Sequence, residues 1–180
     1  MENERKSTTI IESQMSMVKE LVPFIDNDTL DYLRIIGLFS APASAHHHGN
    51  YIGGLFEHSY LVAKTLMDLT TQNKLDWSRP ESPAIIGLFH DICKTDDYVN
   101  YGSGWEHRKD AFYKGHGDKS VILLSSIIKL THEEAACIRY HMGAFTDKEQ
   151  WKDYTNAIKY YPNVLWTHHA DMIASQIKGV

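Results

Sequence analysis

Residues 85–94 read Ile-Ile-Gly-Leu-Phe-His-Asp-Ile-Cys-Lys, an apolar run with an imidazole and a carboxylate side by side at its centre, His90 and Asp91. A segment this apolar belongs in a core, and burying that pair is costly unless a metal ion or another charge meets it there. Helical spacing puts Gly87, His90, Asp91 and Lys94 at i, i+3, i+4 and i+7 on one face, with Ile85, Leu88, Phe89 and Ile92 opposite. The pattern predicts a helix with one face in the core. The other face, left clear by Gly87, presents a nitrogen, an oxygen and an ammonium. A histidine and aspartate paired with each other or with arginine inside a helical core would satisfy the same pattern, so the remaining titratable residues decide.

Those residues are spaced along the rest of the chain. Gly53 and Gly54 open a predicted helix whose apolar stripe runs Leu55, Val62, Leu66 and Leu69, and His58 falls in line with it and points inward. Asp171 lies in a predicted helix patterned by Val164, Leu165, Ile173 and Ile177. Between them stand His116, at the start of one predicted helix, and His141, at the end of another.

A His, then His-Asp, then a distant Asp resembles the signature of the HD-domain metal-dependent phosphohydrolases, with His58, His90 with Asp91, and Asp171 at the matching positions. The resemblance runs from about Pro42 to Val180. Residues 42–58, with a small-residue turn, histidines and Gly-Gly-Leu before His58, are similar to the entry of the HD module in bacterial 3′-to-5′ exoribonucleases. Gly115-His116-Gly117-Asp118-Lys119-Ser120 followed by Arg139-Tyr140-His141-Met142-Gly143 is similar to a compact, largely uncharacterised bacterial and phage branch of that superfamily.

The resemblance implies an all-α HD-domain helical bundle and a set of metal ligands, His58, His90, Asp91 and Asp171. HD families that bind two ions carry extra histidines between the His-Asp pair and the last aspartate, so His116 and His141 are implied as ligands of a second ion, with Asp91 bridging. Imidazole and carboxylate without thiolate suit divalent Mn, Fe, Co, Ni or Zn. One or two ions are accommodated and two are favoured; two, about 3.5–4 Å apart, would activate water and clamp phosphoryl oxygens. Lys94 matches a lysine that HD hydrolases carry at this offset and is expected to neutralise phosphate, in a catalytic role beside Asp91. Arg139 is a second catalytic, phosphate-facing candidate, although a helix arginine also serves as a surface ion-pair partner. Within His46-His47-His48, at most one ring is expected near the site; the exoribonuclease likeness suggests that His47 or His48 shapes the pocket, and His48 is taken as substrate-binding. Tyr98, Tyr101 and Trp105 are candidates for stacking on a base if their segment folds over the pocket, or equally for the packing face of a hairpin. His168, one turn before Asp171, is placed to hydrogen-bond a ligand. His107, His132 and His169 are expected at the surface or packed as ordinary polar residues, and Asp118 and Lys119 are candidates for proton transfer or phosphate contact, though helix capping and solvation explain them as well.

The coarse organisation is helical: Thr8–Leu21 ended by Pro23, then Thr29–Phe39 capped by Asn27 or Asp28, then the His-rich loop. Pro83 suits the first turn of the His90 helix. Periodicity is lost between residues 96 and 114, where a small β-hairpin or an ordered lid fits. Thr131 with Glu134 makes a capping box, and Gly143 a stop. Residues 1–180 are read as one HD-type domain, with 1–41 as N-terminal helices on or extending the core and 42–180 as the metal-binding core.

A chain of 180 residues with 43% hydrophobic content can bury such a core. Neither a membrane-length apolar run nor the apolar core of a signal peptide is present, so a cytoplasmic location with no membrane partner is expected. The two cysteines, Cys93 and Cys137, read as reduced core thiols. A net charge of −5 without a basic face argues against a partner as long as a nucleic acid strand. The leading expectation is hydrolysis of a phosphate ester in a nucleotide, cyclic (di)nucleotide or short oligonucleotide. The alternatives are an HD-fold di-iron oxygenase, a 3′-to-5′ exoribonuclease and a non-catalytic nucleotide-binding module. A homo-oligomer is compatible with all of these.

Overall fold

The structure, a computed structural model, describes residues 2–47, 49–102, 104–113 and 115–180, with side chains from Thr8 onward. It is mostly helical with one small antiparallel hairpin. The elements are α1 (Glu2–Leu21), α2 (Asn27–Ile35), α3 (Gly54–Asn73), α4 (Ser82–Phe89), α5 (Lys94–Asp97), β1 (Tyr98–Asn100), β2 (Trp105–His107), α6 (His116–Ser125), α7 (His132–Arg139), α8 (Trp151–Tyr160) and α9 (Asn163–Met172). A π-helical segment, Ile173–Lys178, continues α9. The hairpin pairs Tyr98 with His107, Val99 with Glu106 and Asn100 with Trp105. No helix among the described residues is long and apolar enough to cross a membrane.

Local chemistry explains most boundaries. Pro23, two residues beyond α1, cannot continue a helix. The cap of α2 is Asp26, one residue earlier than Asn27, because its carboxylate accepts the Thr29 N–H at 2.8 Å. Pro83 sits in the first turn of α4, and the Thr131–Glu134 capping box at α7 is complete.

Helix α4 departs most from the amphipathic expectation, since Ser82 to Phe89 are all buried. Its Gly87 does not keep a face clear. A Cβ there would lie 2.2 Å from the Cα of Ala63, so the glycine lets the backbones of α3 and α4 touch. The apolar cluster around them takes in Val18 and Val22 of α1, Leu33 of α2, Leu55, Val62 and Leu66 of α3, Leu124 of α6, Ile138 of α7 and Val164 of α9. In α9 the inward residues are Val164, Thr167 and Ala170, followed by Ala174, whereas Leu165 and Ile177 are exposed.

Two adjacent glutamates fix α7 against its neighbours. Glu133 accepts from the Ser78 N–H and hydroxyl, both at 2.7 Å, and from Asn163 of α9 at 2.8 Å. Glu134, fully buried, takes two nitrogens of Arg79 at 2.7 and 2.9 Å and the Ser82 hydroxyl at 2.8 Å. The turn before α4 and the starts of α7 and α9 are thereby tied together, which sets the end of α7 opposite the end of α4.

Candidate metal centre

The chain stops being regularly α-helical where the His-Asp pair stands. Helix α4 ends at Phe89, and from there into the start of α5 the Ile92, Lys94 and Thr95 N–H groups each bond three residues back. His90 and Asp91 therefore project from a tight turn rather than from the middle of a long helix. The other expected ligands come from separate elements. His58 is in the second turn of α3, His116 opens α6, His141 lies two residues beyond α7, and Asp171 is at the end of α9.

The fold brings all six together. His58 Nε2 lies 3.3 Å from His90 Nε2, 3.2 Å from Asp171 Oδ1 and 3.7 Å from Asp91 Oδ2. His90 Nε2 is 3.4 Å from Asp91 Oδ2. The other Asp91 oxygen, Oδ1, is 2.5 Å from His116 Nε2 and 3.4 Å from His141 Nε2. One carboxylate thus presents its two oxygens to two different groups of donors. Among the described residues four groups could each hold a metal ion: His58 with His90 and Asp91; His90 with His141 and Asp171; Asp91 with His116 and His141; and Cys93 with Asp97 and His116.

The rings are oriented from behind. His90 Nδ1–H donates to the Gly87 carbonyl at 2.9 Å, His141 Nδ1–H to the Ile138 carbonyl at 2.7 Å and His58 Nδ1–H to the Val180 carbonyl at 2.8 Å. A carbonyl can only accept, so in the neutral form each Nε2 carries a lone pair, and all three lone pairs face the cluster. His116 Nδ1 meets Cys93 Sγ at 3.1 Å. His168 is the predicted supporting residue, donating to the His141 carbonyl at 2.8 Å. Gly143 (φ +57°) makes room for it, since a Cβ there would lie 2.5 Å from the His168 ring.

Burial raises the Asp91 carboxyl pKa, yet the charges of Lys94, His90 and His116 more than offset this and hold it well below the usual range. Asp171 is lowered for similar reasons, with His58 the main counterweight to burial. Burial pushes His90 down, and in His141 the pull of Asp91 overcomes burial and raises it. Lys94 is buried with Nζ 2.5 Å from Asp91 Oδ2, and this contact raises its pKa against the effect of burial.

Other expected site residues fall differently. Arg139 is outside the cluster: its Nε is 2.6 Å from Asp118 Oδ1 and its guanidinium lies over the Tyr140 ring. Tyr98 is half-buried and near enough for Lys94 and Asp91 to influence its phenol, whose pKa burial raises. Trp105 is half-buried and pairs with Asn100 in the hairpin. His48 lies outside the described residues, and His46 and His47 are exposed. His107, His132 and His169 are exposed as expected. Lys119 is neither solvated nor in the cluster; it is buried and bonds Asp96 at 2.8 Å and Asp97 at 2.6 Å. Sequence reasoning took Cys93 as a core thiol and missed its contact with His116, although its place three residues after His90 was the available signal. No family model, curated protein or solved structure matches this chain.

Proposed function

We propose that this chain is a metal-dependent phosphohydrolase of the HD type that cleaves a phosphate ester of a small nucleotide with water. The observation that carries this reading is the acceptor character of the cluster. Three Nε2 lone pairs and two carboxylates, lowered in pKa, face one another, with His58 and His90 Nε2 only 3.3 Å apart. The Lys94 ammonium meets one oxygen of Asp91, and the lone pairs and carboxylate oxygens that remain would be satisfied by a cation among them. The donor set fits a first-row divalent ion and offers the backing hydrogen bonds that such ligands need.

Two ions are favoured by Asp91, whose Oδ2 faces His58 and His90 while Oδ1 faces His116 and His141. His58, His90, Asp91 and Asp171 would hold one, and Asp91, His116 and His141 the other. When bound, the ions supply an activated water and polarise the phosphoryl oxygens. Lys94, whose ammonium meets Asp91, would then be less needed to neutralise that carboxylate and could hold a nonbridging phosphoryl oxygen. The carbonyls behind His58, His90 and His141 keep their rings from rotating as charge builds at the centre.

The test is a screen of phosphomonoesters, phosphodiesters and cyclic dinucleotides with protein reconstituted separately with Mn, Co, Ni, Zn and, anaerobically, Fe. Phosphate ester cleavage with at least one metal is expected. The Asp91→Ala variant should lose at least about a hundredfold, the upper scale for removing support of a ligand. No turnover under any condition would overturn the reading. Oxygen consumption by an iron form that releases no phosphate would replace it with oxidation.

A further inference from the structure

His116 is supported differently from the other three rings of the cluster. A backbone carbonyl stands behind Nδ1 of His58, His90 and His141, whereas His116 Nδ1 meets the Cys93 sulfur at 3.1 Å. Resting on the two-ion phosphohydrolase reading, we propose that Cys93 is a positioning residue for the second ion. Its thiol lets His116 pass from a hydrogen bond with Asp91 to a free Nε2 lone pair, and so governs whether the Asp91, His116 and His141 group takes an ion.

The contact is built by the fold. Cys93 is fully buried in the turn after α4, and its backbone N–H donates to the Ser120 hydroxyl at 3.2 Å. His116 and Ser120 lie one turn apart on α6, so Cys93 meets that helix with side chain and backbone together. Lys119 fastens the same turn to α5 through Asp96 and Asp97 at 2.8 and 2.6 Å. Gly117 seats it on α7, since a Cβ there would lie 2.0 Å from the Arg139 carbonyl oxygen. The start of α6 is thereby held against Cys93.

Sulfur does here what a carbonyl does not. A carbonyl only accepts and keeps the ring proton on Nδ1, but a thiol both donates its S–H and accepts. His116 Nε2 lies 2.5 Å from Asp91 Oδ1, too close for two bare acceptors. In the neutral ring the proton is therefore on Nε2, and Nδ1 accepts the Cys93 S–H. Ligation through Nε2 needs the other tautomer, with Nδ1–H donating to Sγ. One proton leaves Nε2 and one reaches Nδ1 through water at the ring, whose side chain is 29% exposed, while the thiol hydrogen turns away. No net proton is released. Cys93, Asp97 and His116 could themselves gather around an ion, but it would lie against the Lys119 ammonium that bonds Asp97.

The test is calorimetric titration of metal-free protein with Mn(II) in wild type, Cys93→Ala, Cys93→Val and Cys93→Ser. The backbone bond to Ser120 does not depend on the side chain, and Ala and Val remove the sulfur contact with a smaller and a larger group. Wild type should take two equivalents. In Cys93→Ala and Cys93→Val one of them should weaken by about tenfold to a hundredfold, the scale for losing the group behind a ligand, while the other is unchanged. Cys93→Ser, whose hydroxyl also donates and accepts, should recover most of the loss. Two unchanged affinities in Cys93→Ala or Cys93→Val, equal weakening of both ions, no recovery in Cys93→Ser, a third equivalent in wild type, or one equivalent in wild type would each overturn the assignment of Cys93 and leave the hydrolase reading standing. A wild type that binds none would overturn both.

Discussion

Asp91 and Gly87, four residues apart, illustrate how differently single positions reveal themselves. A buried carboxylate flanked by His90 and followed by Lys94 is chemically conspicuous, and its role as the centre of the cluster was legible from residue types and order alone. Gly87 was legible only as small. That it permits contact with Ala63 depends on which helix lies across from it, information carried by α3 and not by its own neighbours. Gly87→Ala should therefore cost about 3 kcal/mol, the upper range for overpacking, and show as a lowered denaturation midpoint with an unchanged slope. Lys119 was misread for a related reason, because an ordinary helix lysine is solvated and only the fold brings Asp96 and Asp97 to it. Burial lowers its pKa, but the two carboxylates raise it above the usual 10.5. The stability it contributes is complete below that unfolded value and is lost as pH rises through the folded one. Wild type should exceed Lys119→Met by about 2 kcal/mol at neutral pH, with the difference shrinking above pH 10.5 in denaturant titrations.

The turns that follow α4 and α7 carry His90, Asp91 and His141, and each of these helices is held by contacts far away in sequence. The capping box at Thr131 and Glu134 could be read locally, since three residues define it. The bond from Glu134 to Arg79 spans 55 positions and left no trace in the local pattern. Glu134→Ala would remove the Arg79 ion pair and the acceptor of the Ser82 hydroxyl beside a core, leaving Arg79 the Lys129 carbonyl, and is expected to cost about 3 kcal/mol in equilibrium unfolding. The end of α4 was placed too late because apolar periodicity continues through Ile92 while hydrogen bonding changes at His90. The same ambiguity hid the exposed side of α9, where Leu165 faces solvent and the small residues Thr167 and Ala170 face inward. Small residues allow close helix approach but weigh little in a hydrophobic pattern.

Across the whole molecule, the six side chains converge because α7 and α9 pack on the α3–α4 pair and α6 packs on α7. The helical class, the hairpin and the order of the ligands could be anticipated. The contact of Cys93 with His116 could not, because it depends on tertiary placement. If cations complete this arrangement, the folded state gains stability from binding them. Metal at a thousandfold excess over its dissociation constant should stabilise the protein by about 4 kcal/mol, and the melting temperature should rise with metal concentration. The most direct measurement is calorimetric titration of metal-free protein with Mn(II), in wild type and Asp91→Ala. Two equivalents bound per wild-type chain and neither bound with comparable affinity by Asp91→Ala is the expected result. A wild type that binds none, or an Asp91→Ala variant that binds as the wild type does, would contradict a metal centre built around Asp91.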